Sequence, residues 1–369
     1  MKFLSYFGVL KQKLLQETLI LIFRILSAGM VLISIIPMIR NEYWMYRIVE
    51  FPRAQKWVLN VVLLIVYVLY IFPFEFWDGV FLGMLSINLI YLSYQIYPFL
   101  PFARKQIQTI SADQTPSISL LIFNVYQYND QYDKLINMVQ KCAADVVLLV
   151  ETDAEWKEKC LAGFGEMYAH QILEDREDTY GMLLFSRMVL KNTKLRYLIK
   201  DFIPSIATEI VLKGGRVIKL YALHPAPPVP SESRFSTERD AEILMVGKEA
   251  ADDKLPVIVA GDLNDVAWSY TTDLFLKVSK LLDPRRGRGF YNTFHAKHFW
   301  ARWPLDHVFC SGHFRVQKME RLPASGSDHF PIFIQLYLSP VENNQEALDA
   351  SAEDIELAEE KIEKGKAVE

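Results

Sequence analysis

Polar residues able to bind metal ions or transfer protons recur where apolar, strand-like runs of the sequence end. Glu151 follows VVLLV, His224 follows KLYAL, and Asp262 follows VIVAG within two residues of Asn264. The other members of this set are Asn124, Asp306, Asp328 and His329. Strand ends are where α/β folds gather binding and catalytic groups. A single Asp or Asn in such a place is more often a turn former or helix cap, so the interpretation depends on the recurrence.

The runs that precede these residues have the length and composition of buried strands. They lie at 117–125, 144–151, 181–187, 255–264, 304–312 and 329–338, with a hairpin at the Gly-Gly pair 214–215. Helical spacing of apolar residues occurs at 130–142 and 233–252. Strands mixed with helices in this way predict an α/β sandwich in which helices cover the sheets.

The order of the polar residues resembles the endonuclease/exonuclease/phosphatase superfamily over about residues 117–336. The segments VAGDLND (259–265) and GSDHFPI (326–332) carry most of this resemblance. YALHPAPP (221–228) is similar to the deoxyribonuclease I version of a third motif, with His where the exonuclease III branch usually has Tyr. The resemblance implies a four-layered α/β sandwich: two mixed sheets packed face to face, helices outside them, and a site at one rim.

Hydrolysis of a phosphodiester is favoured by a hard divalent cation, which takes oxygen ligands and neutralises charge on the phosphoryl oxygens. The resemblance implies that Glu151 is the principal ligand of Mg²⁺, with Asn124 beside it and Asp328 completing the metal shell. Mn²⁺ is the alternative metal. Arg187, at the end of GMLLFSR, is a further candidate for substrate binding.

The same resemblance implies roles for the remaining residues. Asp262 would take a proton from the attacking water, and Asn264 would orient a phosphate oxygen. His329 would contact the scissile phosphate, held in its tautomer and pose by the carboxylate of Asp306. His224 is the candidate general acid for the leaving oxygen.

Three apolar runs occupy the first hundred residues. They are 18–39, 57–74 and 79–100. Each has 18 to 22 residues, enough to cross a hydrocarbon core of about 30 Å as a helix. The sequence therefore predicts an anchor of about three transmembrane helices over 1–100, a linker at 101–116 and a catalytic domain at 117–340. The alternatives are buried helices of a soluble domain or, for the first run, a signal peptide.

Lys and Arg bear on orientation, because cytoplasmic loops of membrane proteins carry an excess of both. With three spans, the first loop and the catalytic domain share one side, which has six Lys and Arg near the spans against three on the other side. This distribution predicts a multi-pass protein of the plasma (inner) membrane with a cytoplasmic catalytic domain. The lipid bilayer and a phosphodiester substrate are the predicted partners, and no protein partner is predicted.

Charge is distributed unevenly along the chain, whose formal net charge is −4. Residues 1–100 carry eight Lys and Arg against five Asp and Glu, and residues 341–369 carry three against ten, so the middle is near neutral. A near-neutral domain lacks the broad basic field that drives non-specific binding to DNA. The acidic tail at 341–369 is expected to be disordered or a solvated helix.

Two functions fit these observations. The favoured one is a membrane-anchored, metal-dependent phosphoesterase that hydrolyses a phosphodiester, in a nucleic acid or a lipid headgroup, by in-line attack of water. The alternative is a non-catalytic, membrane-tethered binding or scaffolding module on the same fold. The fold alone does not select the substrate. Whether Glu151, Asp262 and His329 converge around a metal-sized gap discriminates between the two functions.

Overall fold

The computed structural model describes residues 2–70, 75–111, 117–340 and 345–368. The chain divides into two compact units. The first contains Met1–Asn41 and Met45–Tyr97, and the second contains Glu42–Trp44 and Pro98–Glu369.

The N-terminal part of the chain is helical. Its helices are α1 Lys2–Ile35, α2 Trp44–Ile48, α3 Arg53–Tyr70 and α4 Phe76–Ile96. Polar residues within these apolar helices have partners: Arg24 lies 2.8 Å from Asp78, and Asn88 donates to the side chain of Asn60 at 2.9 Å. An ionisable residue in an apolar helix is costly unless it is paired, and Arg24 meets that requirement.

Two described helices are long and apolar enough to cross a membrane by length and composition. They are Leu10–Met38, with mean hydropathy 2.6, and Phe76–Phe99, with mean hydropathy 1.4. The third predicted run, 57–74, is only partly described: α3 covers it as far as residue 70, and 71–74 lie outside the described residues. The described residues therefore give two candidate spans instead of the three predicted.

The second unit is built on two mixed sheets. The first has the strand order β10-β11-β1-β2-β4-β3, and the second has the order β5-β6-β7-β8-β9. The strands are β1 Ile118–Asn124, β2 Val146–Val150, β3 His170–Glu174, β4 Met182–Ser186, β5 Val189–Tyr197, β6 Pro204–Val211, β7 Val217–Leu223, β8 Val257–Asp262, β9 Asp306–Cys310, β10 Phe314–Arg321 and β11 Ile332–Leu338. β1 and β2 are parallel, and so are β7 and β8.

Apolar side chains from both sheets meet in one core, which includes Ile122 and Leu148 of the first sheet and Leu220 and Ile258 of the second. Helices cover the outer faces. They are α5 Tyr132–Cys142 and α6 Ala154–Phe164 on the first sheet, and α7 Thr237–Asp252, α8 Tyr270–Ser279 and α9 Ala352–Lys366 on the second. The predicted α/β sandwich of two mixed sheets flanked by helices is therefore confirmed.

The acidic tail differs from the expectation of disorder or a solvated helix. α9 begins at a capping box, in which the Ser351 side chain accepts from the backbone of Asp354. Ala358, Ile362 and Gly365 lie at helical spacing and are buried against the second sheet's helices. These small and apolar side chains form a narrow face that packs α9 on the domain, although the other faces of the helix are charged.

Part of the predicted linker also packs on the second unit. Ile107 is fully buried in the core between the sheets. The backbone of Ile110 donates to the carbonyl of Val316 at 3.0 Å, beside β10. Of the predicted linker, residues 112–116 lie outside the described residues.

Candidate functional site

The strand directions bring the candidate residues to one rim of the sandwich. Asn124 ends β1 and Glu151 follows β2, so both lie at the same edge of the first sheet. Asp262 ends β8 and pairs in register with Asp306, which begins the antiparallel strand β9. His224 follows β7, which is parallel to β8. The packed sheets therefore present these side chains to each other.

Asn124 links the two sheets directly. Its Nδ2 donates to Glu151 Oε1 at 2.6 Å and to Asp262 Oδ2 at 3.0 Å. Its Oδ1 accepts from the backbone N–H of Tyr126 at 3.0 Å, which sets the orientation of the amide. A fully buried amide thus joins a carboxylate of one sheet to a carboxylate of the other.

His329 lies between two carboxylates. Its Nδ1 is 2.8 Å from Asp306 Oδ2, and its Nε2 is 3.5 Å from Asp262 Oδ2. Burial alone would lower the pKa of His329, but Asp306 and Asp262 outweigh it and raise the pKa to about 10. Burial raises the pKa of the Asp306 carboxyl. The charges of the two carboxylates thus favour the protonated form of the His329 imidazole.

Glu151 and Asn264 occupy left-handed backbone conformations, with φ of +59° and +51°. Such conformations are uncommon outside glycine and concentrate at functional sites. Burial raises the pKa of Glu151 to about 7, although the hydrogen bond from Asn124 lowers it. Asn264 donates from its backbone to Asp262 Oδ1 at 2.9 Å and from Nδ2 to the carbonyl of Pro225 at 3.0 Å.

His224 follows β7, and Asp306 begins β9, so the two residues flank Asp262 at the end of β8. Its side chain is buried, and its Nδ1 has no hydrogen-bond partner among the described residues. Burial lowers the pKa of His224 to about 4, so the imidazole is neutral. Its ring contacts Tyr180 with a centroid separation of 5.8 Å. A buried and unpartnered ring nitrogen is available to a bound group.

Asp328 is half-buried at the edge of the cluster. Its charge raises the pKa of both Glu151 and His329, although it is not the main cause in either case. Its carbonyl accepts from the backbone of Ala296 at 2.6 Å, which ties the 295–303 loop to the site.

Arg187 is not part of the candidate site. β4 runs antiparallel to β2, so that Ser186 pairs with Val146 at the start of β2, at the far end from Glu151. There Arg187 donates to the carbonyl of Ala143 at 3.0 Å and stacks over Tyr168 at 5.1 Å. Because β4 runs antiparallel to β2, the run GMLLFSR ends at the rim opposite to the one where β1 and β2 end.

The structure adds residues that sequence patterns did not reveal. Tyr180 hydrogen-bonds Glu232 of the loop after His224, and Thr293 accepts from the backbone of Asp306 at 3.2 Å. The guanidinium of Arg239 donates to the carbonyl of Asn264 at 2.7 Å. None of these residues follows an apolar run at the rim, so the strand-end pattern had no signal for them.

The donor set at the rim suits a hard divalent cation. Asp262, Asp306 and His329 can each offer one ligand atom within 4.8 Å of the others, His329 only as a neutral imidazole. Asp306 Oδ1 is buried without a hydrogen-bond partner among the described residues. Burial raises the pKa of Glu151, and the charges of Asp262 and Asp328 add a smaller increase; a bound cation would stabilise the ionised carboxylates. Glu151 adjoins this group through Asn124.

Comparisons with known proteins agree with this architecture. A model of the Endonuclease/Exonuclease/phosphatase family matches residues 121–329. Two UPF0294 proteins of Vibrio vulnificus, from strains CMCP6 and YJ016, are 25% and 24% identical over 234 residues, which span 62% of this chain and 80% of each relative. The catalytic domain of human Nocturnin, solved with a bound sulfate anion, has 18% identity and a TM-score of 0.50, and the match covers 64% of this chain and 99% of that domain.

The structural likeness to Nocturnin concerns the fold alone, because the identity is low. The family match spans more than half of the 369 residues and contains the candidate residues from Asn124 to His329. The chain therefore belongs to the endonuclease/exonuclease/phosphatase family.

Proposed function

We propose that this chain is a membrane-anchored, divalent-metal-dependent phosphodiesterase that cleaves its substrate by in-line attack of water. The observation that carries the proposal is the position of Asn124, whose Nδ2 donates both to Glu151 of the same sheet and to Asp262 of the other sheet. His329 and Asp306 complete the cluster. Metal-dependent phosphoester hydrolysis is typical of the family.

The proposed roles follow from hydrogen-bonding capacity. Asp262 is an acceptor oriented at both oxygens, by the Asn264 backbone and by Asn124, and it takes the proton of the attacking water. The His329 imidazolium donates to a phosphoryl oxygen, and Asp306 stabilises its charge. Bound Mg²⁺ or Mn²⁺ would supply charge neutralisation at the phosphoryl group.

The remaining proposed roles are metal binding and contact with the phosphate and the leaving group. Glu151 and Asp328 would hold the metal through carboxylate oxygens, and Asn124, whose Oδ1 accepts from Tyr126, would orient Glu151 through its Nδ2. Asn264 orients a phosphate oxygen. We predict that His224 contacts the leaving oxygen through its unpartnered Nδ1; its neutral imidazole does not fit the general-acid role that the resemblance implied.

Membrane anchoring is supported by exposure of the two long apolar helices. Only 17% and 22% of their most apolar windows are buried, whereas a core helix of a soluble protein is mostly buried. The exposed apolar side chains include Leu26 at 51% and Ile90 at 71%. Lipid is the solvent that suits such surfaces. With the run 57–74 as a third span, the distribution of Lys and Arg favours a catalytic unit on the cytoplasmic side of the plasma membrane.

The test uses the full chain in lipid nanodiscs, because α9 and residues 98–111 pack on the catalytic unit and a shorter fragment would lose them. Hydrolysis with Mg²⁺ is measured on DNA, RNA, sphingomyelin, phosphatidylinositol phosphates and a chromogenic phosphodiester. Asp262→Asn and EDTA should each abolish turnover, and Arg187→Ala is the matched control that should not.

A folded chain that turns over none of these substrates, and that binds one of them equally well with and without Asp262→Asn, would support the scaffolding function instead. The preferred substrate separates a nuclease from a lipid hydrolase. The near-neutral charge of residues 101–340 favours a lipid headgroup over duplex DNA.

A further inference from the structure

A buried arginine supports the turn that carries Asp262 and Asn264. Arg239 lies on α7 and its side chain is 1% exposed. Its Nη1 donates to the carbonyl of Asn264 at 2.7 Å and lies 3.4 Å from Asp265 Oδ1. Because Asn264 adopts φ of +51°, this turn depends on its surroundings to keep its conformation.

Arg239 is held in turn by its neighbour on α7. Asp240 is fully buried, and its Oδ1 accepts from Arg239 Nη2 at 2.8 Å and from Nε at 3.1 Å. The other oxygen of Asp240 accepts from Lys361 Nζ at 3.2 Å and from Ser236 Oγ at 3.0 Å. Lys361 is a residue of α9, in the tail that composition alone classes as solvated.

Lys361 also joins a segment far away in sequence. Its Nζ donates to Glu42 Oε1 at 2.9 Å, and Glu42 belongs to the second unit. The Lys361 side chain is 8% exposed. A continuous series of charged hydrogen bonds therefore runs from Glu42 through Lys361, Asp240 and Arg239 to the backbone of Asn264.

We propose that Lys361 is a positioning residue for the Asp262–Asn264 turn, an inference that rests on the proposed function of that turn. The carboxylate of Asp240 accepts from both Arg239 and Lys361. Loss of Lys361 would leave more of the negative charge of Asp240 uncompensated, and this charge would draw the guanidinium of Arg239 away from the Asn264 carbonyl. The turn would then lose the hydrogen bond from the buried Arg239 guanidinium. As a result, Asp262 would no longer be held in a fixed position against Asn124.

The experiment compares Lys361→Met with Lys364→Met in the full chain in nanodiscs. Lys364 also hydrogen-bonds Glu42, but its side chain is 57% exposed, so it controls for loss of a tail lysine. Hydrogen exchange of peptides covering 257–266 reports the turn directly, with β1 peptides as the internal reference. Turnover of the chromogenic phosphodiester is measured on the same samples.

Lys361→Met should accelerate exchange at 257–266 but not in β1, and should lower kcat by about tenfold or more with KM nearly unchanged. Lys364→Met should alter neither, and Lys361→Arg should restore most of both. Equal exchange and kcat in folded Lys361→Met and the parent chain would overturn the proposal, as would faster exchange spread evenly over all peptides.

Two further outcomes are also decisive. If the parent chain hydrolyses no substrate, the proposed function fails, yet the exchange result still accepts or rejects the support of the turn by Lys361. If Lys361→Met does not fold, Lys361→Gln replaces it, because this change removes the charge next to Asp240 but keeps a polar side chain at the same position. Faster exchange confined to 257–266 in Lys361→Gln supports the proposal, and unchanged exchange overturns it.

Discussion

Glu242 is a buried carboxyl that should make the stability of the catalytic unit depend on pH. It lies on α7 and is 2% exposed. Its Oε1 has no hydrogen-bond partner in the part of the chain that the structure describes. Burial raises the pKa of Glu242 to about 8, and the opposing attraction of Arg196 is the smaller effect.

The sign of the pH effect follows from the two states of the chain. Below about pH 4.5 the carboxyl is protonated in both the folded and the unfolded chain, so it adds no pH dependence. Between pH 4.5 and about 8 the unfolded chain releases the proton while the folded chain retains it, and the free energy of unfolding falls as pH rises. Each pH unit costs about 1.4 kcal/mol, so the loss is about 3 kcal/mol at pH 7 and about 5 kcal/mol above pH 8.

Glu242→Gln removes the ionisable group and keeps the shape of the side chain. The variant should match the parent near pH 4.5 and unfold at higher temperature than the parent as pH rises. For a unit of this size about 3 °C accompanies each kcal/mol, so the difference should be on the order of 10 °C at pH 9. The assay is thermal unfolding of the full chain in nanodiscs at pH 5, 7 and 9.

Glu249→Gln is the matched control on the same helix. Glu249 pairs with Arg196 at 2.6 Å, but its side chain is 38% exposed. Its replacement should shift the midpoint only slightly. A Glu242→Gln variant with the parent's pH dependence, or one less stable than the parent at pH 9, would refute the reasoning and would indicate that Glu242 is ionised in an ion pair.

Three other predictions concern the site. Asp306→Asn removes the charge 2.8 Å from His329 Nδ1, and kcat/KM should fall by about 10²–10⁴ in steady-state assays while the fold persists; a loss of less than threefold contradicts the role of Asp306. Gly261→Ala would place a Cβ 1.9 Å from the carbonyl oxygen of Leu223, and residue 261 has a φ of +143°. The midpoint of thermal unfolding should therefore fall clearly. An unchanged midpoint would contradict the close approach of β7 and β8. Phe299 and Trp300 are 82% and 65% exposed on the loop tied to Asp328. Replacing both with Ser should slow cleavage of a lipid in nanodiscs but not of a soluble chromogenic substrate. Equal losses of activity on both substrates would contradict a lipid-facing role.

The layered fold was predictable because strand and helix patterns in the second unit are strong. The runs containing Ile122, Leu148 and Ile258 consist mainly of apolar residues, as expected of strands covered on both faces. The grouping of polar residues at one rim was also accessible, since parallel strands end at the same edge. Asn124 and Glu151 meet because β1 and β2 are parallel neighbours.

Strand direction was the information that the sequence lacked. GMLLFSR and VIVAGD both read as buried runs followed by a polar residue, yet β8 delivers Asp262 to the rim and β4 carries Arg187 away from it. Local patterns do not distinguish these outcomes, because direction is decided by pairing with strands distant in sequence. The same limit hid Arg239, whose role depends on the packing of α7 behind the turn at Asn264.

In the tail, the acidic composition hid a short helical pattern of small and apolar residues from the prediction. Ten acidic residues in 341–369 favour a solvated segment, but Ala358, Ile362 and Gly365 repeat at helical spacing. A Cβ on Gly365 would lie 2.2 Å from that of Ala241, so α9 approaches α7 closely there. Four buried positions on one face sufficed to dock this helix, including Lys361 with its charge paired.

The motif residues alone therefore do not define the functional unit. A segment from 117 to 340 contains the candidate ligands and acid–base groups, but it lacks Glu42 and Lys361, which lie at the outer end of the hydrogen bonds behind Asn264. Catalytic groups must be held to within a fraction of an ångström, and that precision comes from the packing around them. In this chain the precision at Asp262 is drawn from residues more than two hundred positions apart in sequence, so the geometry of the site is a property of the whole second unit.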